Sequence, residues 1–266
     1  HAAAMQYACL VARGLLPAAE LLRYKCAGGP QAHTDQSTPG IPFNTGSLGQ
    51  ALSKCCGLAL GGARNVACVL GDGELQEGQC FEAFQTLAHR NLTEVLPIID
   101  LNGIQSDSGV ADIKHLADLR QTLEGIGLVV HDIDGHDLAQ IRATICELRN
   151  GGRAGVILAR TRKGAGVSFM AANRCEPRNY AWHGGVPNEE EYRRAVEEIA
   201  ADITDEGVRK RVDAWLAGDG GDEGDEGKSG ALAVGAGQGA GQGLGQGSGQ
   251  GSGQGLGQGS GQGSGQ

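Results

Sequence analysis

The chain has 266 residues, of which 31 are acidic and 22 basic, and its formal net charge is −9 at neutral pH. Such an acidic chain offers no basic face for nucleic acid, and it contains no apolar run of about 18 residues, the length that predicts a membrane-spanning helix. Its eight cysteines form no C-x-x-C pair, which excludes the common zinc-binding spacing and favours free thiols in a reducing, cytoplasmic compartment.

The composition divides the chain into three parts. Residues 231–266 are almost wholly Gly, Gln, Ser, Ala and Leu, and such a tract buries too little apolar surface to offset the entropy that is lost on ordering. We therefore predict a Gly/Gln/Ser-rich disordered tail, preceded by an acidic linker at residues 218–230. Residues 1–217 remain as one folded domain of ordinary size.

The first part of that domain is predicted to hold helices around one long loop. The spacing of apolar residues predicts a helix over 3–13, ended by Gly14, and a second helix over 17–25. Residues 26–45 are rich in Gly, Pro, Thr and other polar residues, and a connection of that length without regular structure indicates a functional loop. A helix of small residues is predicted next, at 48–60.

Strands and helices alternate in the rest of the domain. Apolar runs predict strands at residues 66–70, 95–100, 129–133 and 154–161. Helices are predicted at residues 76–89, 118–126, 138–149, 189–203 and 206–216. Because the strands are near-continuous apolar runs joined through helices, we predict an α/β fold with a doubly wound, mainly parallel sheet and helices on both faces.

Two neighbouring strand ends carry residues that indicate a binding site. The first delivers Asp72 between Gly71 and Gly73, and the next delivers Asn102, with 28 residues between Gly73 and Asn102. Carboxylate, amide and backbone oxygens bind hard cations, and glycine lets backbone N–H groups approach a phosphate. These residues predict a magnesium–diphosphate site at the carboxyl edge of the sheet. The basic run at 160–163 either meets phosphate there or is a solvated strand end.

Six ordered segments resemble one enzyme family. GDG, followed after such a gap by Asn, resembles the thiamine-diphosphate signature, and the wider pattern resembles the N-terminal section of transketolase from residue 1 to about 200. The segments that carry the resemblance are residues 45–50, 71–78, 100–105, 133–137, 163–169 and 182–185. The resemblance implies the thiamine-diphosphate-binding fold, with thiamine diphosphate and Mg²⁺ (or Ca²⁺ or Mn²⁺) as cofactors.

The resemblance also implies roles for individual residues at the strand ends. Asp72, Asn102 and the backbone carbonyl of Ile104 match the family's metal ligands. The backbone N–H of Gly73 matches a donor to the diphosphate. Together these residues would hold the metal and the diphosphate end of the cofactor.

Loop residues and histidines extend the match. Gly46 and Leu48 fall in the segment that lies over the cofactor's rings, although a helix cap is an alternative role for that segment. His1 and His183 match histidines that contact the cofactor, and His33 and His183 match histidines that reach the substrate. Without the resemblance, each histidine would be interpreted as an exposed loop residue.

Two acids and two departures remain. Glu77 and Glu82 match acids that line the dimer interface and relay protons, while a solvated helix face is the alternative interpretation. Ser106 stands where the family usually has an apolar residue near the thiazolium ring. The chain starts at His1, inside a family motif, so we interpret the domain as N-terminally truncated.

The resemblance implies a partner. In the family a two-carbon ketol unit passes from a ketose to an aldose, and an essential Glu comes from a pyrimidine-binding domain that we do not recognise in this sequence. We therefore predict the N-terminal subunit of a split transketolase of carbohydrate metabolism, acting on sugar phosphates in a heterotetramer with a separate C-terminal-section subunit. It would self-associate, and alone it would be inactive. Two alternatives stay open: another thiamine-diphosphate ketol or acyl transferase of a specialised pathway, and a truncated, non-catalytic relative.

Overall fold

The structure is a computed structural model that describes residues 2–106, 108–171 and 180–217. The predicted linker and tail lie outside these ranges. The α-helices described are α1 (Ala3–Ala12), α2 (Ala51–Leu60), α3 (Gly78–His89), α4 (Val110–Ile113), α5 (Leu119–Ile126), α6 (Leu138–Asn150), α7 (Glu189–Ala200) and α8 (Glu206–Leu216). The strands are β1 (Val66–Gly71), β2 (Val95–Leu101), β3 (Val129–Asp134) and β4 (Gly155–Arg160). Short 3₁₀ helices occupy Ala18–Arg23, Glu74–Gln76 and Ala181–His183.

The four strands form one parallel sheet in the order β1-β2-β4-β3. Gly71 at the end of β1 pairs with Asp100 of β2, and Leu101 of β2 pairs with Arg160 at the end of β4. This register places the carboxyl ends of three strands side by side. The predicted α/β fold with a parallel sheet is confirmed.

Helices cover both faces of the sheet, as predicted. On one face α2, α3 and α5 bury Leu52, Phe84 and Leu123 in a cluster with the strands. On the other face Ile141 of α6 packs in a second cluster that includes Ile157 of β4. The sheet is therefore the middle layer of three, and its carboxyl edge is the end at which loops from both layers meet.

The long loop at residues 26–45 is held against α1. Tyr7 is fully buried and its hydroxyl donates to the carbonyl oxygen of Gln31 at 2.9 Å, while Ile41 packs in the same apolar cluster as Tyr7. At the end of the loop, the hydroxyls of Thr34 and Thr45 lie 2.9 Å apart. These contacts fix the loop where it approaches α2.

Some helix boundaries differ from the prediction for physical reasons. α2 begins at Ala51 because Gly49 has a φ of 82°, a left-handed conformation that a right-handed helix does not include. α7 ends at Ala200, whose carbonyl oxygen accepts a hydrogen bond from the guanidinium of Arg209 at 2.8 Å. The segment predicted as a helix over 17–25 is a 3₁₀ helix. None of the helices in the described ranges is long and apolar enough to cross a membrane.

Phe84→Ala tests the packing of α3 on the sheet. The ring is fully buried, so its loss should leave a cavity and lower the free energy of unfolding by about 3–5 kcal/mol. Gln85→Ala, at the exposed neighbouring position, should change the free energy of unfolding by less than about 0.5 kcal/mol. Urea denaturation followed by circular dichroism measures both. Equal losses in the two variants would contradict the burial of this face of α3.

Candidate active site

A cavity of about 730 Å³ opens at the carboxyl edge of the sheet, where α/β folds bind their ligands. Several predicted site residues line it, namely Leu48, Asp72, Gly73, Asn102, Ile104 and His183. Other polar side chains in its wall belong to Glu74, Asp100, Gln105, Ser106, His136, Thr161, Arg162 and Lys163. The residues predicted at separate points of the sequence are therefore brought to one cavity.

Asp72 follows β1 and is 6% exposed. Its two carboxylate oxygens accept hydrogen bonds from the backbone N–H groups of Gly73 at 2.8 Å and of Gly103 at 2.6 Å. Burial raises the pKa of the Asp72 carboxyl above its ordinary value, and the two N–H donors oppose that rise. Asp72 is thus a largely desolvated carboxylate that bridges the ends of β1 and β2.

Asn102 is held by a second carboxylate. Its Nδ2 donates to Asp100 Oδ2 at 3.2 Å, and its Oδ1 accepts from the N–H of Ile104 at 3.0 Å. The other oxygen of Asp100 accepts a short hydrogen bond from the hydroxyl of Thr161, at the end of β4. Because Asp100 takes the amide nitrogen, the amide oxygen of Asn102 is oriented away from Asp100.

The loop after β2 folds back and fixes Ile104. The carbonyl oxygen of Gly103 accepts from the N–H of Val110 at 2.9 Å, and Ile104 forms an isolated antiparallel bridge with Gly109. The side-chain amide of Gln76 donates to the carbonyl of Val110 at 3.0 Å. The short helix α4, which the sequence pattern did not predict, is therefore part of the support of the cavity.

The donors at the strand ends suit a hard cation. Within the described ranges, no group of three or more His, Cys, Asp or Glu side chains is placed to hold a metal ion. The candidate ligands are instead one carboxylate, one amide oxygen and one backbone carbonyl, of Asp72, Asn102 and Ile104. All are oxygen donors of the kind that Mg²⁺ and Ca²⁺ prefer, and Mg²⁺ commonly completes its octahedron with phosphate oxygens and water. The residues present fit a metal that arrives with a diphosphate.

Lys163 was not predicted as an individual site residue. It follows β4 in the basic run, lines the cavity, and places its ammonium 5.5 Å from the ring centre of Tyr180. Burial lowers the pKa of the Lys163 ammonium, while the carboxylates of Asp100 and Asp72 oppose that shift. The run of basic residues at a strand end was the available sequence signal for this cation.

His183 lines the cavity. It ends the 3₁₀ helix Ala181–His183, and its Nε2 lies 3.1 Å from the hydroxyl oxygen of Ser106. The preceding Trp182 packs edge-to-face on Phe169, with ring centres 5.5 Å apart. Ser106, the departure from the family pattern, therefore contacts a predicted site histidine.

The loop before α2 brings two further predicted residues together. Gly46 has a φ of 108°, and a Cβ there would lie 3.0 Å from Cγ of His33. The imidazole of His33 thus lies against the backbone of Gly46. Leu48, two residues later, is 55% exposed and lines the cavity.

Several predicted residues lie outside the cavity lining. His33 and Gly46 contact each other beside it, and Glu77 and Glu82 are exposed on or next to α3. His1 lies outside the described residues. The structure therefore places the predicted metal and diphosphate residues together, and it leaves the predicted interface acids on the surface.

Glu74 is a residue that the sequence interpretation missed. It is the first residue of the 3₁₀ helix Glu74–Gln76, and its carboxylate lies in the cavity wall. One oxygen accepts from the N–H of Gly49 at 2.9 Å and the other from the N–H of Gly71 at 3.3 Å. No local pattern signals the bond to Gly49, because Gly49 lies 25 positions before Glu74.

The chain resembles known proteins over most of the described residues. Residues 18–218 match the XFP N-terminal domain family. An apulose-4-phosphate transketolase subunit of Actinobacillus succinogenes is 34% identical over 209 residues, covering 75% of this chain and 72% of that protein. The 6-deoxy-6-sulfo-D-fructose transketolase subunit of Clostridium sp. is 32% identical over 208 residues, covering 75% and 73%.

Longer proteins are similar over part of their length. Transketolase-like protein 2 of Homo sapiens is 35% identical over 206 residues, which are 71% of this chain and 31% of that protein. The crystal structure of transketolase from Campylobacter jejuni superposes with a TM-score of 0.60 at 22% identity, over 75% of this chain and 33% of that one. The latter likeness concerns the fold. The chain spans about a third of the length of these longer proteins.

Gly46→Ala tests the packing of the loop. The substitution should lower the free energy of unfolding by about 1–3 kcal/mol, because the φ of 108° is strained for alanine and the new methyl meets His33. Combining it with His33→Ala should recover part of that loss, namely the part due to the contact. Gly57→Ala, in the middle of α2 with open space around it, should stabilise the protein by about 0.5–1 kcal/mol. Urea denaturation of the four variants measures these effects; strict additivity of Gly46→Ala and His33→Ala would contradict the contact.

Proposed function

Because the chain belongs to the transketolase family, we propose that it is the diphosphate-binding subunit of a two-subunit ketol transferase that uses thiamine diphosphate and Mg²⁺. The observation that carries the proposal is the meeting of Asp72, Asn102 and Ile104 at adjoining strand ends in one cavity. Two similar proteins are named as transketolase subunits, and the chain spans 72% and 73% of their lengths. A separate partner subunit is therefore part of the proposal.

The protein ligands of the metal are proposed to be the Asp72 carboxylate, the Asn102 amide oxygen and the Ile104 carbonyl. Burial makes an uncompensated Asp72 carboxylate costly, and a divalent cation would compensate that charge. Asp100 orients the amide of Asn102 so that its oxygen is the atom presented. The N–H of Gly73, which also donates to Asp72 Oδ1, and the ammonium of Lys163 are proposed to meet the diphosphate, since both residues line the cavity.

When bound, thiamine diphosphate would supply the nucleophilic carbon that cleaves a ketose beside its carbonyl group. The chain's own contribution is to bind and orient that group and to exclude water from it. His183 is proposed to hold a proton at Nε2 for a substrate oxygen, and the hydroxyl of Ser106 fixes the position of that nitrogen. Leu48 supplies apolar surface in the cavity wall and is proposed to meet the cofactor's rings.

The exposed predicted residues are proposed to act at a subunit contact. Glu77 and Glu82 are exposed, so they reach a reaction only if another chain covers α3. Glu77 also lies close to the loop, because a Cβ on Gly49 would be 2.9 Å from the Cβ of Glu77. His33 and Gly46, which contact each other before Gly49 in the chain, are proposed to reach the substrate and the cofactor's rings, respectively.

The proposed substrates are anionic sugars. The two similar subunits are named for apulose-4-phosphate and for 6-deoxy-6-sulfo-D-fructose, which carry a phosphate and a sulfonate. These names favour a specialised thiamine-diphosphate ketol transferase as much as they favour a transketolase that acts on the common sugar phosphates. Arg162 and Lys163 provide positive charge at the cavity wall, which suits either class of anion.

Asp72→Ala tests the metal assignment. Isothermal titration of the full chain with thiamine diphosphate in MgCl₂ should show binding that is weakened about 100-fold or more in the variant, because a charged metal ligand is lost. Asp202→Ala, at an exposed position after α7, is the matched control and should bind as the unaltered chain does. Unchanged affinity in Asp72→Ala would rule out Asp72 as the ligand.

The ketol-transferase proposal needs the partner. The full chain should co-purify with a second protein that carries the pyrimidine-binding domain, and the complex should bind thiamine diphosphate and transfer a two-carbon unit between anionic sugars. A complex that fails to bind thiamine diphosphate in MgCl₂ would support the non-catalytic alternative instead.

A further inference from the structure

One carboxylate, that of Glu74, joins two segments that line the candidate cofactor cavity. We call them the Leu48 wall (residues 48–49) and the Asp72 turn (residues 71–72). Glu74 Oε1 accepts from the N–H of Gly49 at 2.9 Å, and Oε2 accepts from the N–H of Gly71 at 3.3 Å. Gly49 follows Leu48 and Gly71 precedes Asp72, and both Leu48 and Asp72 line the cavity. The side chain therefore spans from the loop before α2 to the turn after β1.

The backbone of Glu74 is itself fixed, so its carboxylate is a rigid bridge. The next residue, Leu75, is fully buried in the core. The thiol of Cys80 donates to the carbonyl oxygen of Glu74 at 3.4 Å. Because the backbone is already ordered, only the rotamer freedom of the Glu74 side chain is lost when it accepts the two N–H groups.

The loop has no comparable anchor at Gly49. The residue carries no side chain, its φ of 82° is left-handed, and its Cα faces the Cβ of Glu77 so closely that a Cβ on Gly49 would lie 2.9 Å away. The backbone N–H of Gly49 is thus one of the groups that hold this part of the loop, together with the contact between Thr34 and Thr45. Hydrogen bonds to an ionised carboxylate are stronger than those between neutral groups.

We propose that Glu74 is a positioning residue that sets the separation between the Leu48 wall and the Asp72 turn. The proposal rests on the proposed function, in which the first wall meets the cofactor's rings and the second its diphosphate. Loss of the carboxylate would leave both segments folded, but the distance between them would no longer be held at the length of the cofactor. Binding of a ligand that spans both walls would suffer more than binding of a ligand that touches one.

The test compares Glu74→Gln with Glu94→Gln in the full chain. Glutamine keeps the length of the side chain but replaces one acceptor by an NH₂ donor, which cannot accept from a backbone N–H. Glu94 is the matched control because its carboxylate also accepts from a backbone N–H, that of Asn65 at 3.1 Å, at the start of β1. Circular dichroism confirms the folding of each variant, and Glu74→Asp, which is too short to span both groups, serves if Glu74→Gln does not fold.

Two measurements decide the matter. Amide hydrogen exchange of residues 45–50, measured by mass spectrometry without ligand, should be about tenfold faster in Glu74→Gln and unchanged in Glu94→Gln. Calorimetric titration in MgCl₂ should show about tenfold weaker binding of thiamine diphosphate in Glu74→Gln, with unchanged binding of inorganic pyrophosphate. The ratio of the two affinities separates positioning from a general loss of structure, which would weaken both ligands together.

The outcomes distinguish the role of Glu74 from the proposed function. Unchanged exchange at residues 45–50, or an equal loss for thiamine diphosphate and pyrophosphate, would overturn the role of Glu74. If the unaltered chain, with its partner, binds neither ligand, the proposed function fails, and with it the cofactor-related part of the role of Glu74. The exchange result then still decides whether Glu74 fixes the loop.

Discussion

The hydrogen bond from the N–H of Gly103 to the buried carboxylate of Asp72, at 2.6 Å, ties the end of β1 to the end of β2. Parallel strands share no hairpin, and the chain reaches the second of these ends from the first through α3. A buried carboxylate is tolerated when donors surround it, and here Gly73 supplies the second donor. This bridge holds Asp72 beside the loop that carries the other two candidate metal ligands, Asn102 and Ile104.

Three neighbouring carboxylates at this edge of the sheet accept hydrogen bonds from different partners. Both oxygens of Asp100 accept from protein groups, the hydroxyl of Thr161 and the amide of Asn102, so Asp100 joins the ends of β2 and β4. Glu74 likewise has both oxygens engaged by backbone N–H groups. Asp72 accepts two backbone N–H groups at the turn itself, and burial raises the pKa of its carboxyl above the ordinary value. A cation would relieve that cost, which links the stability of the edge to its proposed use.

The strands and most helices were predictable because apolar runs and periodicity are local properties. β1 and β2 lie within a residue of their predicted ends, and the acidic and amide residues fall just beyond them. The site contacts made by Glu74 were not predictable, because they depend on the left-handed backbone of Gly49. The contact between His33 and Gly46 depends in the same way on how the long loop returns to α2.

The sequence by itself determined the fold class and the family, and it placed Asp72 and Asn102 at strand ends, since apolar strand runs and turn glycines leave a direct trace in the chain. Only the tertiary structure decided which residues share the cavity. It brought Lys163 and Ser106 into the cavity wall and left Glu77 and Glu82 on the surface. The reason is that such proximity arises from hydrogen bonds and packing between residues far apart in sequence, whose geometry no local pattern records.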